Sequence, residues 1–318
     1  MQFPYKIRSA SSINIFFLFS LFSLFAGYNN TSAQNLNPSS KKSSGFVSQE
    51  DREFIKIKDL KVKTRSKYYV GPFSTGNKDE KRKLLTVEKF SRKGMITEIS
   101  EFDISGNVIS NYKFRYDSKN RPVRAEGTDD KGRSSVQTSR YNSRGYEIER
   151  RLVSSGRRKS ESRTLLKYDN AGNIIEIQNY IDAKLNDQQK FRYDKNKRIE
   201  TLITNDKGDT ALVIIPEYDA GGKIIREEKR EGKSKAADTY KYDDKDNMIE
   251  LTDSQTRRVY SYDDNKNVIA HKMFLLDGRR QISLVFKYNE KGLQNEQIRY
   301  DNTEKIVYHS IYEYEFYK

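Results

Sequence analysis

Apolar and polar residues alternate in short runs along most of this 318-residue chain. The clearest runs end on two apolar residues that lie two positions apart, the second of them aromatic. These pairs are Phe114/Tyr116, Leu166/Tyr168, Phe191/Tyr193, Tyr240/Tyr242, Tyr260/Tyr262 and Phe286/Tyr288. Because side chains alternate between the two faces of a strand, this period places both members of a pair on one sheet face. No segment shows a helical period, so the pattern predicts almost no helix outside the N-terminal apolar stretch.

A longer phrase recurs around these pairs: an aromatic residue, Asp or Asn, a short polar stretch that usually contains Gly, and then Ile or Val. Its first residue, the anchor aromatic, is Phe102, Tyr116, Tyr141, Tyr168, Tyr193, Tyr218, Tyr242, Tyr262 or Tyr288. From Tyr116 onward the anchors are 25, 27, 25, 25, 24, 20 and 26 residues apart. A second turn signal, such as Asp130-Lys131-Gly132, lies between anchors. We therefore predict an all-β antiparallel meander of about nine hairpin repeats, forming a curved sheet or an open spiral or solenoid.

The phrase has the chemistry of a hairpin turn. Asp or Asn opens a turn by accepting a hydrogen bond from the backbone two residues on, and Gly supplies the left-handed conformation. Where Gly is missing, Asn120 and Asp246 are the best substitutes, whereas Lys197 and Lys266 would carry strain there.

The segments TYKYDDKDNMI and VYSYDDNKNVI resemble the YD repeat of Rhs and teneurin-type proteins, and the resemblance covers about residues 84–318. It implies a β-meander that spirals, and in long family members a hollow shell that encloses a C-terminal toxin. This chain differs in having about nine units, which we expect to be too few to close a large shell. Its last residues, 308–318, continue the repeat, and it has no Asp-Pro of the kind used for self-cleavage. A toxin domain is therefore not expected here.

The N-terminal part differs from the repeats. Residues 1–33 have the basic start, apolar middle and small-residue end of a secretory signal peptide, and 34–50 are typical of a flexible linker. Residues 51–83 are expected to form a β cap, with strand-like runs at Phe54–Ile57 and Lys67–Val70, before the YD-repeat domain of 84–318. We expect secretion to the periplasm or outside a Gram-negative cell, with no membrane span after signal cleavage.

Composition narrows the possible chemistry. The chain has 60 Lys and Arg against 45 Asp and Glu, no Cys, and only 35% hydrophobic residues, but 22 Tyr and 16 Phe. Low apolar content with many aromatics indicates a thin structure rather than a thick globule or a disordered chain. The absence of Cys excludes disulfides, a thiol nucleophile and a thiolate metal site.

No catalytic or metal site is expected. The two histidines, His271 and His309, lie in separate repeats without a triad spacing. The acidic turn that begins at Asp263 has Val268 and Phe274 where a calcium-binding EF-hand needs Gly and Glu. The sequence therefore predicts a protein that is not an enzyme and has no cofactor.

The residue before most anchors is basic, and this set, with the residue before Tyr300, is named the basic ladder. Its members are Arg115, Arg140, Lys167, Arg192, Lys241, Lys287 and Arg299, with Glu217 and Ser261 as exceptions. Alternation predicts that these cations lie on the face opposite the tyrosines. They could form a binding stripe for an anionic polymer, or a solvated face paired with Glu176, Glu200 and Glu250. The row of anchor aromatics likewise suits either a stacking platform for sugars or bases, or simply a packed face.

The leading hypothesis is a secreted, non-enzymatic scaffold or binding module at the cell envelope or outside the cell. Its partner would be an anionic polysaccharide, another envelope component or a protein, and nucleic acid is not expected. The alternative is an orphan shell segment or partner protein of an Rhs-type toxin-delivery system.

Overall fold

The computed structural model describes residues 49–71, 82–156, 158–195 and 197–318. The expected signal peptide and all but the last two residues of the expected linker lie outside the described residues. Within these ranges one helix, α1, spans Gln49–Asp59. The strands β1 to β20 span Val62–Tyr69, Lys83–Phe90, Ile96–Phe102, Val108–Tyr116, Pro122–Asp129, Ser134–Tyr141, Glu147–Ser155, Ser160–Tyr168, Ile174–Ile181, Lys184–Asp194, Lys197–Asn205, Thr210–Tyr218, Ile224–Glu231, Ser234–Tyr242, Met248–Thr252, Thr256–Tyr262, Val268–Leu275, Arg280–Tyr288, Gln294–Tyr300 and Ile306–Phe316.

The strands form a meander that closes on itself. Each strand pairs antiparallel with the next, and β1 also pairs antiparallel with β20, with Arg65 opposite Tyr314 and Tyr69 opposite Ser310. The sheet is therefore a closed barrel of 20 strands. The prediction of an open curved sheet, spiral or solenoid is wrong. An open meander would leave the N–H and C=O groups of its first and last strands unpaired, and closure pairs them.

Residues 54–57 are helical, although their alternation suggested a strand. They lie in α1, whose Lys56 and Lys58 lie in the last turn, where the helix dipole favours cations. The helix ends where Lys61 takes a left-handed conformation, with φ of 52°. The second strand-like run, Lys67–Val70, falls largely within β1 as expected.

The YD turns follow the predicted chemistry. In the turn after β4, the Asp117 carboxylate accepts hydrogen bonds from the backbone N–H groups of Lys119 and Arg121, both at 2.9 Å. Asn120, Asp246 and Lys266 have positive φ where Gly is missing, as expected. In the shorter turn after β10 it is Lys195, and not Lys197, that has positive φ, because Lys197 already pairs with Asp194.

The position of α1 identifies the inner face of the barrel. The Arg52 side chain donates to the carbonyl of Lys266, between β16 and β17, and Lys58 contacts Gly94, between β2 and β3. Those turns are six strand spacings apart, or about 29 Å along the sheet. Six helical residues rise only about 9 Å, and an extended arginine adds about 7 Å. A path this much shorter than the curved sheet between the two turns is possible only on the concave side. The helix α1 therefore lies on the inner face of the barrel.

The face that carries the anchor tyrosines is the inner wall. Lys56 of α1 lies 5.8 Å from the centre of the Tyr288 ring, so the helix lies on the tyrosine face. All the turns that α1 contacts belong to one end of the barrel, named here the turn mouth. The opposite end, where β1 finishes at Tyr69, is the far mouth.

Candidate functional site

Most of the basic ladder lies on the outer face and is ion-paired across its own hairpin. Four pairs have nitrogen–oxygen distances from 2.8 to 3.2 Å and a fifth has 2.5 Å. They are Arg140–Glu149, Lys167–Glu176, Arg192–Glu200, Lys241–Glu250 and Lys287–Glu296. The cations remain 57 to 73% exposed, so each pair is a surface pair. Binding of an anionic polymer by the ladder stays a prediction.

The exceptions to the ladder point to a structural role for these pairs. Where the basic residue is replaced by Glu217, its partner across the hairpin is Arg226, so the two charges are exchanged. Where it is replaced by Ser261, the partner is the neutral Ala270. Only Arg115 faces another cation, Arg124, and that arginine pairs with a glutamate on its own strand. The charge at this position is therefore matched to its cross-strand partner in most hairpins.

Arg299 lies on the inner wall, and its expected place opposite the tyrosine face is wrong. It pairs with Leu284 and Tyr308, which share the face of Tyr288. The reason is that Tyr300 ends a strand at the far mouth, where the aromatic residue of the phrase points outward. A signal was available, because Tyr300 comes only 12 residues after Tyr288, about half a repeat and therefore one strand.

The eight anchor tyrosines and Tyr314 form a ring of hydrogen bonds, interrupted at Phe90, that the sequence did not predict. Each hydroxyl donates, at 2.6 to 2.9 Å, to a backbone carbonyl in the previous hairpin. The donor–acceptor pairs are Tyr116–Ile96, Tyr141–Pro122, Tyr168–Glu147, Tyr193–Ile174, Tyr218–Arg198, Tyr242–Ile224, Tyr262–Met248, Tyr288–Val268 and Tyr314–Gln294.

The acceptor in this tyrosine ring has a constant position. It is the residue that pairs with the previous anchor, or with Phe90 in the case of Tyr116, and it lies beside a β-bulge. Ile174, for example, pairs with Tyr168 while Lys167 pairs with Glu176. A bulge disrupts the ladder of backbone hydrogen bonds, and the next tyrosine supplies a donor there. Burial disfavours the phenolate and raises the pKa of Tyr193 and Tyr262 to about 12. The ring therefore stays protonated at neutral pH.

The inner wall is polar, and most of its cations are paired with carboxylates. Arg65 pairs with both Glu53 of α1 and Glu88 of β2. The other inner pairs are Arg150–Glu147, Arg198–Glu227, Lys229–Asp238 and Arg258–Asp253. The histidines do not come together, since His271 stacks on Tyr260 of the inner wall at 4.7 Å and His309 faces outward opposite Ile298. The described residues contain no group of three side chains suited to a metal ion.

The helix α1 is held against the inner wall by both polar and apolar contacts. Lys56 donates to the carbonyl of Gly292 and to the Asn267 side chain, both at 2.8 Å, and burial lowers the pKa of this lysine. An apolar cluster completes the contact, formed by Ile57, Val62, Phe90 and Leu293. The inner wall thus binds a polypeptide segment through side-chain bonds to main-chain carbonyls and a small apolar core.

None of the helices in the described part of the chain has the length and apolar composition needed to cross a membrane.

A sequence model of the family described as Teneurin YD-shell matches residues 110–314. No curated protein matches the chain.

Three solved structures are similar at low identity. A Tc holotoxin pore of Photorhabdus luminescens is 11% identical with a TM-score of 0.30, and the alignment covers 78% of this chain and 18% of that one. A TcdB2–TccC3 complex without the hypervariable C-terminal region is 11% identical with a TM-score of 0.30, and the alignment covers 76% and 18%. A porin-like protein of Bacteroides uniformis is 11% identical with a TM-score of 0.32, and the alignment covers 80% and 98%.

Proposed function

Since this chain belongs to the Teneurin YD-shell family, we propose that it is a small closed β-shell that encloses a polypeptide segment and catalyses no reaction. The observation that carries the proposal is the place of α1, which lies against the inner wall and is bound there. A wall that holds one segment of polypeptide through its own main-chain carbonyls has chemistry that suits another, because these carbonyls accept hydrogen bonds from the side-chain donors of any segment.

The dimensions of the barrel support enclosure. Twenty strands spaced by about 4.8 Å give a circumference of about 96 Å and a radius of about 15 Å, before any widening by strand tilt. A helix with its side chains is about 10 to 12 Å across, so the interior accommodates a folded or extended segment. The ion-paired and tyrosine-rich wall offers hydrogen bonds as well as flat apolar surfaces to such a segment.

The wider role we propose is that of a shell component in an exported toxin-delivery system. It is supported by the family membership and by the resemblance to Rhs proteins, whose long members enclose a toxin. The signal-like N-terminus is consistent with an extracellular or envelope location. The cargo would be supplied by a partner polypeptide. The chain spans only about a fifth of the two toxin-related chains that it matches, so their activities are not transferred.

Enclosure is testable by cysteine labelling, because the natural chain contains no Cys. Ser162→Cys places a thiol on the inner wall, where Ser162 pairs with Leu152 and Ile181. Ser261→Cys is the matched outer control, since Ser261 lies between two inward tyrosines and is exposed. N-ethylmaleimide is expected to label the thiol in both variants, whereas a polymer-linked maleimide labels only the Ser261→Cys variant. Equal labelling of both variants by the polymer reagent would overturn the closed shell.

Binding of a peptide inside the shell is tested with the same two variants. An unstructured peptide of mixed composition is expected to slow the labelling of the Ser162→Cys variant by N-ethylmaleimide and to leave the labelling of the Ser261→Cys variant unchanged. A peptide that binds without protecting the inner thiol of Ser162→Cys would show that the site lies outside the shell and would exclude enclosure.

A further inference from the structure

Lys67 of β1 and Arg299 of β19 are cations of the inner wall that form no ion pair with a carboxylate within the described ranges. Inner cations deeper in the barrel, such as Arg198 and Arg258, have an acidic partner. Lys67 instead lies over two tyrosine rings, 5.4 Å from the centre of Tyr308 and 5.5 Å from the centre of Tyr312.

The two cations belong to one continuous patch, formed by Lys67, Tyr69, Arg299, Tyr308 and Tyr312. Tyr308 joins its two halves, because it pairs with Arg299 across β19 and β20 and lies beneath the ammonium of Lys67. The ring of Tyr69 is 5.6 Å from that of Tyr308. The patch thus combines two positive charges with several phenol rings and hydroxyls on one stretch of wall.

The patch lies at the far mouth, away from α1. Lys67 is two residues from the end of β1, Arg299 is one residue from the end of β19, and Tyr308 is near the start of β20. All three ends belong to the mouth opposite the helix. A segment that enters the shell at the end not occupied by α1 therefore meets this patch first.

We propose that this far-mouth patch binds an acidic polypeptide segment, rich in Asp and Glu, and so selects the cargo of the shell. The inference rests on the proposed function and adds the chemistry of the partner. An ammonium and a guanidinium without acidic partners attract carboxylates, and the tyrosine rings that hold Lys67 in place reduce its cost of ordering. Glu88 of the adjacent strand is already paired with Arg65. Glu101 lies two strands from Lys67, beyond Thr86, and burial raises the pKa of Glu101, which weakens its competition.

The test uses three fluorescein-labelled peptides of equal length, rich in Glu, in Lys, or in Gly and Ser. Fluorescence anisotropy with the full chain is expected to show at least about tenfold tighter binding of the Glu-rich peptide than of the Gly/Ser peptide, weakening as salt is added. The double variant Lys67→Gln/Arg299→Gln is expected to remove that preference. Lys67→Arg, which keeps the charge, should retain binding and shows that the effect is not a loss of folding.

The matched control removes two cations from the outer ladder, as Arg140→Gln/Lys241→Gln. It is expected to bind the Glu-rich peptide as the natural chain does. Loss of binding in this outer variant, with binding kept in the inner one, would assign the peptide to the basic ladder and overturn the patch.

The labelling variant Ser162→Cys separates this inference from the proposed function. If Glu-rich and Gly/Ser peptides bind equally and both protect its inner thiol, the shell encloses polypeptides but the patch does not select them. If the Glu-rich peptide binds through Lys67 and Arg299 without protecting that thiol, the patch stands and enclosure fails. Absence of binding by any peptide overturns the patch.

Discussion

The ring of YD hairpins and the seam where the barrel closes are built in different ways. Around the ring, from the Ile96 carbonyl of β3 to Tyr314 of β20, one rule repeats, in which a tyrosine hydroxyl reaches the bulge carbonyl of the preceding hairpin. At the seam, where α1 and β1 join β2 to β20, β2 has Phe90 in place of the tyrosine. Phe90 is 3% exposed and packs with Ile57, Val62 and Leu293.

This difference shows how an array of β-hairpin repeats can end without exposed strand edges. A hairpin in the ring finds its partner in the neighbouring repeat, so its sequence resembles that of its neighbours. The seam must join the first strand to the last, and it does so with a helix, an apolar cluster and the Arg65 ion pairs, none of which occurs in the repeats. Closing the barrel therefore requires contacts that differ from those that join neighbouring repeats.

Alkaline pH is expected to have the largest effect on the ring. Burial raises the pKa of seven of its nine tyrosines, namely Tyr141, Tyr168, Tyr193, Tyr218, Tyr242, Tyr262 and Tyr314. Because the unfolded chain loses these protons first, stability is full below about pH 10 and falls as the pH rises toward the folded-state values. The loss is at most about 1.4 kcal/mol per pH unit for each tyrosine.

Urea unfolding at about pH 9 and about pH 11 measures this loss, in the window set by the raised tyrosine pKa values. The double variant Tyr168→Phe/Tyr193→Phe is the control and should show a shallower dependence on pH. A free energy of unfolding that stays constant across the window would contradict the protonated ring.

Removing the buried charge of the seam is expected to have the next largest effect. Arg65→Met leaves Glu53 and Glu88 without their partner, and the side chain of Glu88 is only 11% exposed. Loss of one member of a buried ion pair costs about 3–5 kcal/mol. Arg140→Met is the matched control at an exposed pair in the ring and should cost about 0–1 kcal/mol. Equal costs in urea unfolding would remove the distinction between seam and ring.

A single contact of the ring is expected to contribute least. Tyr168→Phe removes the donor to the Glu147 carbonyl, and an unsatisfied buried acceptor costs about 1–3 kcal/mol. Tyr300→Phe is the control, since Tyr300 lies outside the ring on the outer face, and it should change the free energy of unfolding by less than about 0.5 kcal/mol. If both substitutions have the same effect on chemical denaturation, the hydroxyl contacts of the ring do not stabilise it.

Much of the candidate site could be predicted from sequence. The predictions that were wrong or missing share a cause, because each depends on how different hairpins are arranged. The outward position of Arg140 and Lys167 followed from alternation within one strand, and the glutamate partner of Lys167 was among the expected ones. Arg299 was misplaced because its face depends on which mouth its turn belongs to. The acceptor of each tyrosine was missed because it lies about 20 residues away, in another hairpin, as Glu147 does for Tyr168.

The sequence by itself determined the YD turns, the period-two strands and the antiparallel meander. These features depend on side chains within a few positions of one another, such as Asp117 with the backbone of Lys119 and Arg121. Only the tertiary structure decided that the meander closes and that α1 lies inside it. Closure pairs Arg65 with Tyr314, and α1 reaches Lys266 from Arg52, across more than 200 residues of chain. No local pattern encodes contacts of that separation, because they form only when the completed sheet curves and brings both ends together.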